Sequence, residues 1–238
     1  MNPGKRICNP RRSRSDTRAV LLGLGSSIST RPNQFEHAFS IKQSAIAPKR
    51  YFLRPVGKTL CMEPKAHILL PPSAPAAAYY DCRFAVLREP LGFQRGAELL
   101  ADDEHAIHAW VEDEARVVAV GRAHLIPPSS DGSAADHAGP GATQCPSFGP
   151  LSNPRNRPAI QIRQMGTREE ARRSGHAAQV LKALELASIH HFDAKVGLLQ
   201  ARKAAIQFYQ SQGWILVDEP YSISGIGPHR SMMKHFET

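Results

Sequence analysis

The stretch "TREEARRSGHAAQVLKALELA", residues 167–187, decides the fold. In its second half Ala177, Val180, Leu181, Leu184 and Ala187 recur at helical spacing and predict a helix that buries one face. The lead-in departs from ordinary helix-starting chemistry. Arg168, Arg172, Arg173 and Gly175 stand where Ser or Asp followed by Glu would be favoured. Upstream, "AIQIRQMGT" (159–167) reads as a strand, and downstream "AKVGLLQA" (194–201) reads as a second. Strand, helix and strand in about forty residues form a βαβ unit, with the strands parallel and the crossover right-handed. The lead-in therefore lies at the carboxyl end of a parallel strand and at the positive end of a helix dipole. A glycine among successive free backbone N–H groups, with arginines beside it, is a nest for an anion, a phosphate or pyrophosphate in particular.

Working outward, "AHILL" (66–70) is a short apolar run stopped by Pro71 and Pro72, and reads as a strand. In "APAAAYYDCRFAVLREPLG" one face carries Ala76, Tyr80, Phe84 and Leu87, and Pro90 and Gly92 close a helix of about four turns. "HAIHAWVEDEARVVAVGRAHL" predicts an antiparallel hairpin, with strands over 105–111 and 116–125 around an acidic turn at 112–114. In residues 127–158, 16 of 32 positions are Pro, Gly or Ser, so this long loop is expected to be either mobile or functional. After the βαβ unit, "KAAIQFYQSQGW" predicts a helix ended by Gly213, and "WILVDE" and "HRSMMKHF" predict closing strands. An antiparallel front half joined to a parallel back half gives a mixed α/β (α+β) sheet with helices on both faces.

The chain of 238 residues carries a formal charge of +9, but the charge is not evenly placed. Residues 1–61 hold twelve Lys and Arg against two Asp and Glu, so residues 62–238 are near neutral. The arm lacks sustained periodicity and is expected to be disordered: a transit-like or interaction tail, a nucleic-acid arm, or translated sequence upstream of a start at Met62. The "GLG" at 23–25 has no strand and helix around it to make a dinucleotide loop. No stretch reaches the ~18 apolar residues of a membrane span. Cys8, Cys61, Cys82 and Cys145 show no CxxC spacing, which points to a reducing, cytoplasmic setting. His105 with His108, and His190 with His191, lack a third ligand at a useful spacing, so no metal is expected.

"RRSGHA" (172–177) resembles the Arg/Gln-x-x-Gly-x-Gly/Ala motif with which the GNAT superfamily of N-acetyltransferases grips the pyrophosphate of acetyl-CoA. The strand "IQIRQMGT" upstream, "LLQAR" after the helix, and "AAIQFYQSQGW" are similar to family elements in family order. "GIGPHRSMMK" resembles the closing segment of the branch that includes ElaA-like proteins, and "FAVLREPLGF" with "LLADDEHAIHAWV" resembles that branch's first helix and second-strand approach. The resemblance covers residues 62–238, which it makes a single acetyltransferase domain with 127–158 as an insertion. It implies that the backbone amides of Arg173, Ser174, Gly175, His176 and Ala177 bind the pyrophosphate, with Arg172 opening the motif. It also implies that backbone groups around Gln164, Met165 and Thr167 pair with the pantetheine arm, and that the Met165 amide polarises the acetyl carbonyl. Tyr209 matches the family's general acid, which protonates the departing CoA thiolate.

The implied reaction is direct attack of a primary amine, of a small molecule or a protein, on acetyl-CoA in a ternary complex. Glu112, Glu114, His124 and His229 are the candidates for a base; the two glutamates read more simply as solvated turn residues, and His229 as a group that shapes the site. Two further readings stand beside this one. A CoA-binding sensor would keep the fold and drop the chemistry, and a nucleic-acid-binding protein would act through residues 1–61. The sequence names neither the acceptor nor the oligomeric state, a homodimer included.

Overall fold

The computed structural model describes residues 66–137 and 139–237, so every reading of residues 1–65, including those of Cys8, Cys61 and Met62, lies outside the described residues. In chain order the elements are β1 (His67–Leu69), α1 (Ala77–Leu87), β2 (Ile107–Asp113), β3 (Arg116–Ile126), β4 (Ala134–Ala135), β5 (Gln144–Cys145), β6 (Ala159–Thr167), α2 (His176–Phe192), β7 (Val196–Arg202), α3 (Ile206–Ser211), β8 (Ile215–Leu216), β9 (Tyr221–Ile223) and β10 (Gly227–His235). The main sheet runs β1-β2-β3-β6-β7-β10-β8, with β9 on β10, and β4 pairs only with β5. Every described pairing is antiparallel except β6 with β7. The mixed sheet and the βαβ unit expected from the sequence are both present.

The apolar stripe of α2 does what its spacing requires. Val180, Leu181 and Leu184 are buried with Ile107, Ala109, Ile160, Ile162 and Leu199 in the largest core cluster. At about 1.5–3 kcal/mol for each fully buried large aliphatic side chain, this face outweighs the weak propensity of a helix that begins without a side-chain cap. Ala177, at its exposed start, is only half-buried. The opposite face of the sheet is covered by α1 and by residues 127–158. Tyr79 and Cys82 pack there on Val117 and Val120, and Phe148 and Leu151 on Ile126, Ala159, Val196 and Leu198.

The structure corrects two expectations. The buried face of α1 is formed by Tyr79, Cys82, Arg83 and Phe84; of the expected face only Phe84 is buried, while Tyr80 and Leu87 are half-buried and Ala76 is exposed. Polar side chains with partners inside the protein turn the helix: Tyr79 Oη donates to Gly121 O at 2.9 Å, and Arg83 Nη1 donates to Asp103 Oδ1 at 3.0 Å. A burial ranking by hydrophobicity has no means of finding an arginine with an internal counter-ion. The first hairpin strand runs two residues further than expected, to Asp113, so the turn is the pair Glu114 and Ala115, both with positive φ, instead of 112–114.

The described part of residues 127–158 carries local secondary structure and core anchors. The β4–β5 ribbon is followed by 3-10 turns at Gly149–Ser152 and Pro154–Asn156. Phe148 and Leu151 anchor the segment in the core. No helix among the described residues is long and apolar enough to cross a membrane.

Candidate active site

The site originates in a parallel pair that separates. β6 and β7 are in register only from Ala159 opposite Val196 to Gln161 opposite Leu198. Beyond Gln161 the two strands part around a cavity of about 460 Å³, lined by Ile162 to Thr167 on one side and Leu199 to Arg202 on the other. The β7-facing edge of β6 thus offers backbone groups that no described strand pairs.

A bulge produces the separation. Pairing of β3 with β6 steps from Val120 opposite Gly166 to Arg122 opposite Arg163, so Gln164 and Met165 together face Gly121. Gln164 takes the left-handed conformation, φ 54°. Gly121 permits the crossing, because a Cβ there would stand 2.6 Å from Met165 Sδ and 2.9 Å from Val180. The strained Gln164 is held at both ends of its amide: Oε1 accepts from Arg88 Nη2 at 2.8 Å and Nε2 donates to Asp136 O at 3.2 Å.

After β6 the chain is pinned by Arg168, whose N–H donates to Val118 O at 2.8 Å and whose Nε donates to Val117 O at 3.0 Å. A single 3-10 turn, Glu169–Ala171, leads to Arg172, which lines the cavity at its Thr167 end. Arg173 has φ 66° and Gly175 φ 83°, and α2 begins at His176. Alternating handed conformations turn successive N–H groups toward one point, here at the positive end of a seventeen-residue helix. Among the described residues no backbone carbonyl accepts from the N–H groups of Arg173, Ser174 or Gly175, and the first N–H groups of α2, at His176 and Ala177, have none within the helix. Residues 172–175 are exposed, so the nest is open to a ligand. The left-handed Arg173 is strain of the kind that persists where a site demands it.

Tyr209, from α3, is buried and lines the same cavity. It also packs on Phe208 and Trp214, with ring centroids 5.0 and 6.2 Å away. The core reading of "FY" therefore holds for Tyr209, and the same ring also reaches the cavity. Burial alone pushes the Tyr209 phenol well above its ordinary range, so it stays protonated at neutral pH.

Of the four base candidates, the structure brings only His229 to the cavity. Its Nδ1 donates to Gly227 O at 2.8 Å, which leaves Nε2 as the acceptor. Burial lowers its pKa, so it is neutral at pH 7. Glu112 and Glu114 are exposed at the hairpin end, where Glu112 Oε1 accepts from Trp110 Nε1 at 2.8 Å. His124 lines a separate cavity of about 570 Å³ with Asp102 and Phe192. Alternation along β3 carries its side chain there.

Gln164, Met165, Thr167, Arg172 and Tyr209 come together around one cavity, and residues 173–177 follow directly from its Arg172 corner. Sequence reasoning missed Arg88, Asp136, Arg163 and Arg202, which also line it. They come from a helix end, a loop and two strands. The one available signal was charged residues in otherwise apolar runs, as in "VLREPL" and "IQIRQM".

No protein-family model and no curated protein matches the chain. Solved structures do. A protein from Lactobacillus plantarum assigned as an N-acetyltransferase is 21% identical, with a TM-score of 0.50 over 71% of this chain and 97% of that one. ElaA of Escherichia coli is 20% identical, with a TM-score of 0.49 over 71% and 97%. A GNAT family acetyltransferase from Elizabethkingia anophelis, with acetyl-CoA bound, is 13% identical, with a TM-score of 0.44 over 72% and 99%. The fold is that of the GNAT acetyltransferases, as the sequence resemblance implied.

Proposed function

We propose that the protein is an acetyl-CoA-dependent N-acetyltransferase acting on a primary amine. The observation that carries this reading is the continuity of three features: the strand separation opened by the Gln164–Met165 bulge, the Arg173–Gly175 nest at the head of α2, and Tyr209 in the cavity. In this reading the nest holds the donor's pyrophosphate, and the unpaired edge of β6 receives the pantetheine arm as an added strand. The Met165 amide faces the acetyl carbonyl and stabilises the negative charge that develops there.

The neutral amine attacks the thioester carbon, the C–N bond forms and the C–S bond breaks. The departing thiolate takes the Tyr209 proton. Nε2 of His229 receives the proton that the amine sheds, and solvent returns it to the Tyr209 oxygen, so the balance is amide plus free CoA thiol. Alignment of two bound reactants supplies much of the acceleration in such a mechanism. Cys82 and Cys145 are free thiols, both buried, and suit a reducing, cytoplasmic setting. Residues 62–238 act in this reading as one domain.

Tyr209→Phe tests it. The variant should bind acetyl-CoA with wild-type affinity in calorimetry while turnover falls about 10²–10⁴-fold, the range for loss of a general acid. A wild-type protein that binds acetyl-CoA but releases no CoA with any amine would be a sensor of the same fold.

A further inference from the structure

We propose that the acceptor amine also carries a carboxylate, and that Arg88, with Arg202 across the cleft, holds that carboxylate. The inference rests on the acyl-transfer reading and names the acceptor class of the same site.

Arg88 stands at the C-terminus of α1, 2% exposed, and lines the cavity. Its guanidinium donates to Ala97 O at 3.1 Å, Asp136 O at 3.1 Å and Gln164 Oε1 at 2.8 Å, all of them neutral. The other two fully buried arginines have counter-ions: Arg83 reaches Asp103 at 3.0 Å, and Arg122 reaches Asp102 at 2.7 Å. Among the described residues no carboxylate lies within ion-pair distance of Arg88. Burial, and then repulsion from Arg83, lowers its pKa to about 10, which leaves it charged at neutral pH. A buried cation without a counter-ion is costly to maintain, and an anion arriving in the cavity removes that cost.

Arg88 is not alone. Arg202 ends β7 on the same cavity, aligned with His229 of β10, and its guanidinium makes no hydrogen bond among the described residues. Arg163, from β6, lines it as well and donates to Ala135 O. Ile162, Leu199 and Ala201 pack on the α2 side of the sheet, so strand alternation places Arg163 and Arg202 on the other side, with α1 and Arg88. The pyrophosphate nest belongs to α2, and Arg172 already serves that end. The donor's phosphates therefore do not account for these three cations.

Among the described residues Asp136 is the only carboxylate on the cavity wall. Its Oδ1 accepts from the Thr143 N–H at 2.7 Å, with His137 Nδ1 at 2.9 Å. Its Oδ2 is buried with no donor among the described residues. Asp136 is the cavity-lining residue that suits the ammonium of an arriving amino acid once the wall adjusts to expose its carboxylate, while the ligand's own carboxylate meets the arginines. A polyamine or aminoglycoside would bring only more positive charge to this wall.

The test uses the full chain and amine pairs that differ by one carboxylate, phenylalanine with phenethylamine and lysine with cadaverine, following CoA release and product mass. The carboxylate member of each pair should be preferred by about tenfold to a hundredfold in kcat/KM, the worth of a charge-assisted hydrogen-bonded pair. Arg202→Gln, which breaks no described contact, should raise the acceptor KM by a similar factor and leave the acetyl-CoA KM unchanged. Arg88→Gln should do the same if it folds. Calorimetry with N-acetylphenylalanine and N-acetyllysine, without acetyl-CoA, reads the anion site independently of turnover. Turnover of the decarboxylated amines at equal or higher rate overturns the carboxylate site and leaves acyl transfer standing. Binding of the acetylated amino acids that is lost in Arg202→Gln, with no transfer to any amine, supports the site and removes the acyl-transfer reading. Failure of both assays overturns both.

Discussion

Substitution of Gly175 separates a binding nest from a helix start that only needs a flexible residue. A Cβ built at this position meets nothing within 4 Å, and the residue has φ +83°. Gly175→Ala therefore introduces no clash, and its cost is confined to the backbone: about 1–2 kcal/mol for an L-residue in the left-handed region. For a domain of this size that is a fall in Tm of roughly 2–8 °C. Gly175→Glu carries the same backbone cost and, if the nest holds acetyl-CoA as proposed, adds a negative charge beside the donor's phosphates. At 4–6 Å and an effective dielectric constant between those of a protein surface and water, each phosphate charge is repelled by about 1–4 kcal/mol. Calorimetric titration with acetyl-CoA should therefore show affinity reduced by at least about tenfold to a hundredfold in the Glu variant, beyond any loss in the Ala variant. Asn tolerates this conformation, so Gly175→Asn should recover most of the lost stability and binding. Equal acetyl-CoA affinity in wild type and Gly175→Glu, with both proteins folded, would refute the nest.

Two predictions concern the frame that holds the site. Glu185 is buried on α2, where it accepts from Trp214 Nε1 at 2.9 Å and from Lys234 Nζ at 2.8 Å; because Lys234 is partly exposed, Glu185→Ala should cost about 2–4 kcal/mol in denaturant unfolding, and Glu185→Gln less. His108 is buried between Asp103 O at 2.8 Å and Tyr79 Oη at 3.2 Å, and burial lowers its pKa to about 4 against the attraction of Asp103. Between pH 6.5 and 4 the unfolded chain binds the proton that the folded chain excludes, so this contribution is present above pH 6.5 and is lost as the pH falls. The expected slope is at most about 1.4 kcal/mol per pH unit, and it should flatten in His108→Gln.

The legible parts of the molecule were those written in local pattern. The stripe of α2, the flanking β6 and β7 and the helix-ending Gly213 follow from periodicity and turn chemistry, and the place of the Arg172–Ala177 lead-in, between a parallel strand and the head of α2, was readable as well. The bulge at Gln164 was invisible because its cause is at a distance: Gly121, 43 residues earlier, leaves the space that Met165 fills. The face of α1 was misread because Arg83 owes its burial to Asp103 on another segment. Arg88 and Asp136 joined the site through the tertiary path of residues 127–158, which has no period to read. His124 and His229 looked alike as candidates, and only the strand each belongs to decides which cavity it faces.

The segment 127–158 divides into two parts with different freedoms. Phe148 and Leu151 are wedged against Ala159, Val196 and Leu198, where β6 and β7 are still joined. Asp136 and Cys145, from the β4–β5 ribbon region, stand on the cavity wall where those strands have parted. The foot is thus tied to the hinge of the cleft, while the tip forms one side of its mouth. Under the proposed acyl transfer, changes at the tip would retune which amine is admitted without disturbing the donor's cradle on α2, whereas changes at the foot would alter the opening angle and reach both substrates at once. Such a segment behaves as an exchangeable bit in a fixed chuck, and new acceptor preferences can arise in a GNAT fold by rewriting about a dozen residues between Ser133 and Cys145.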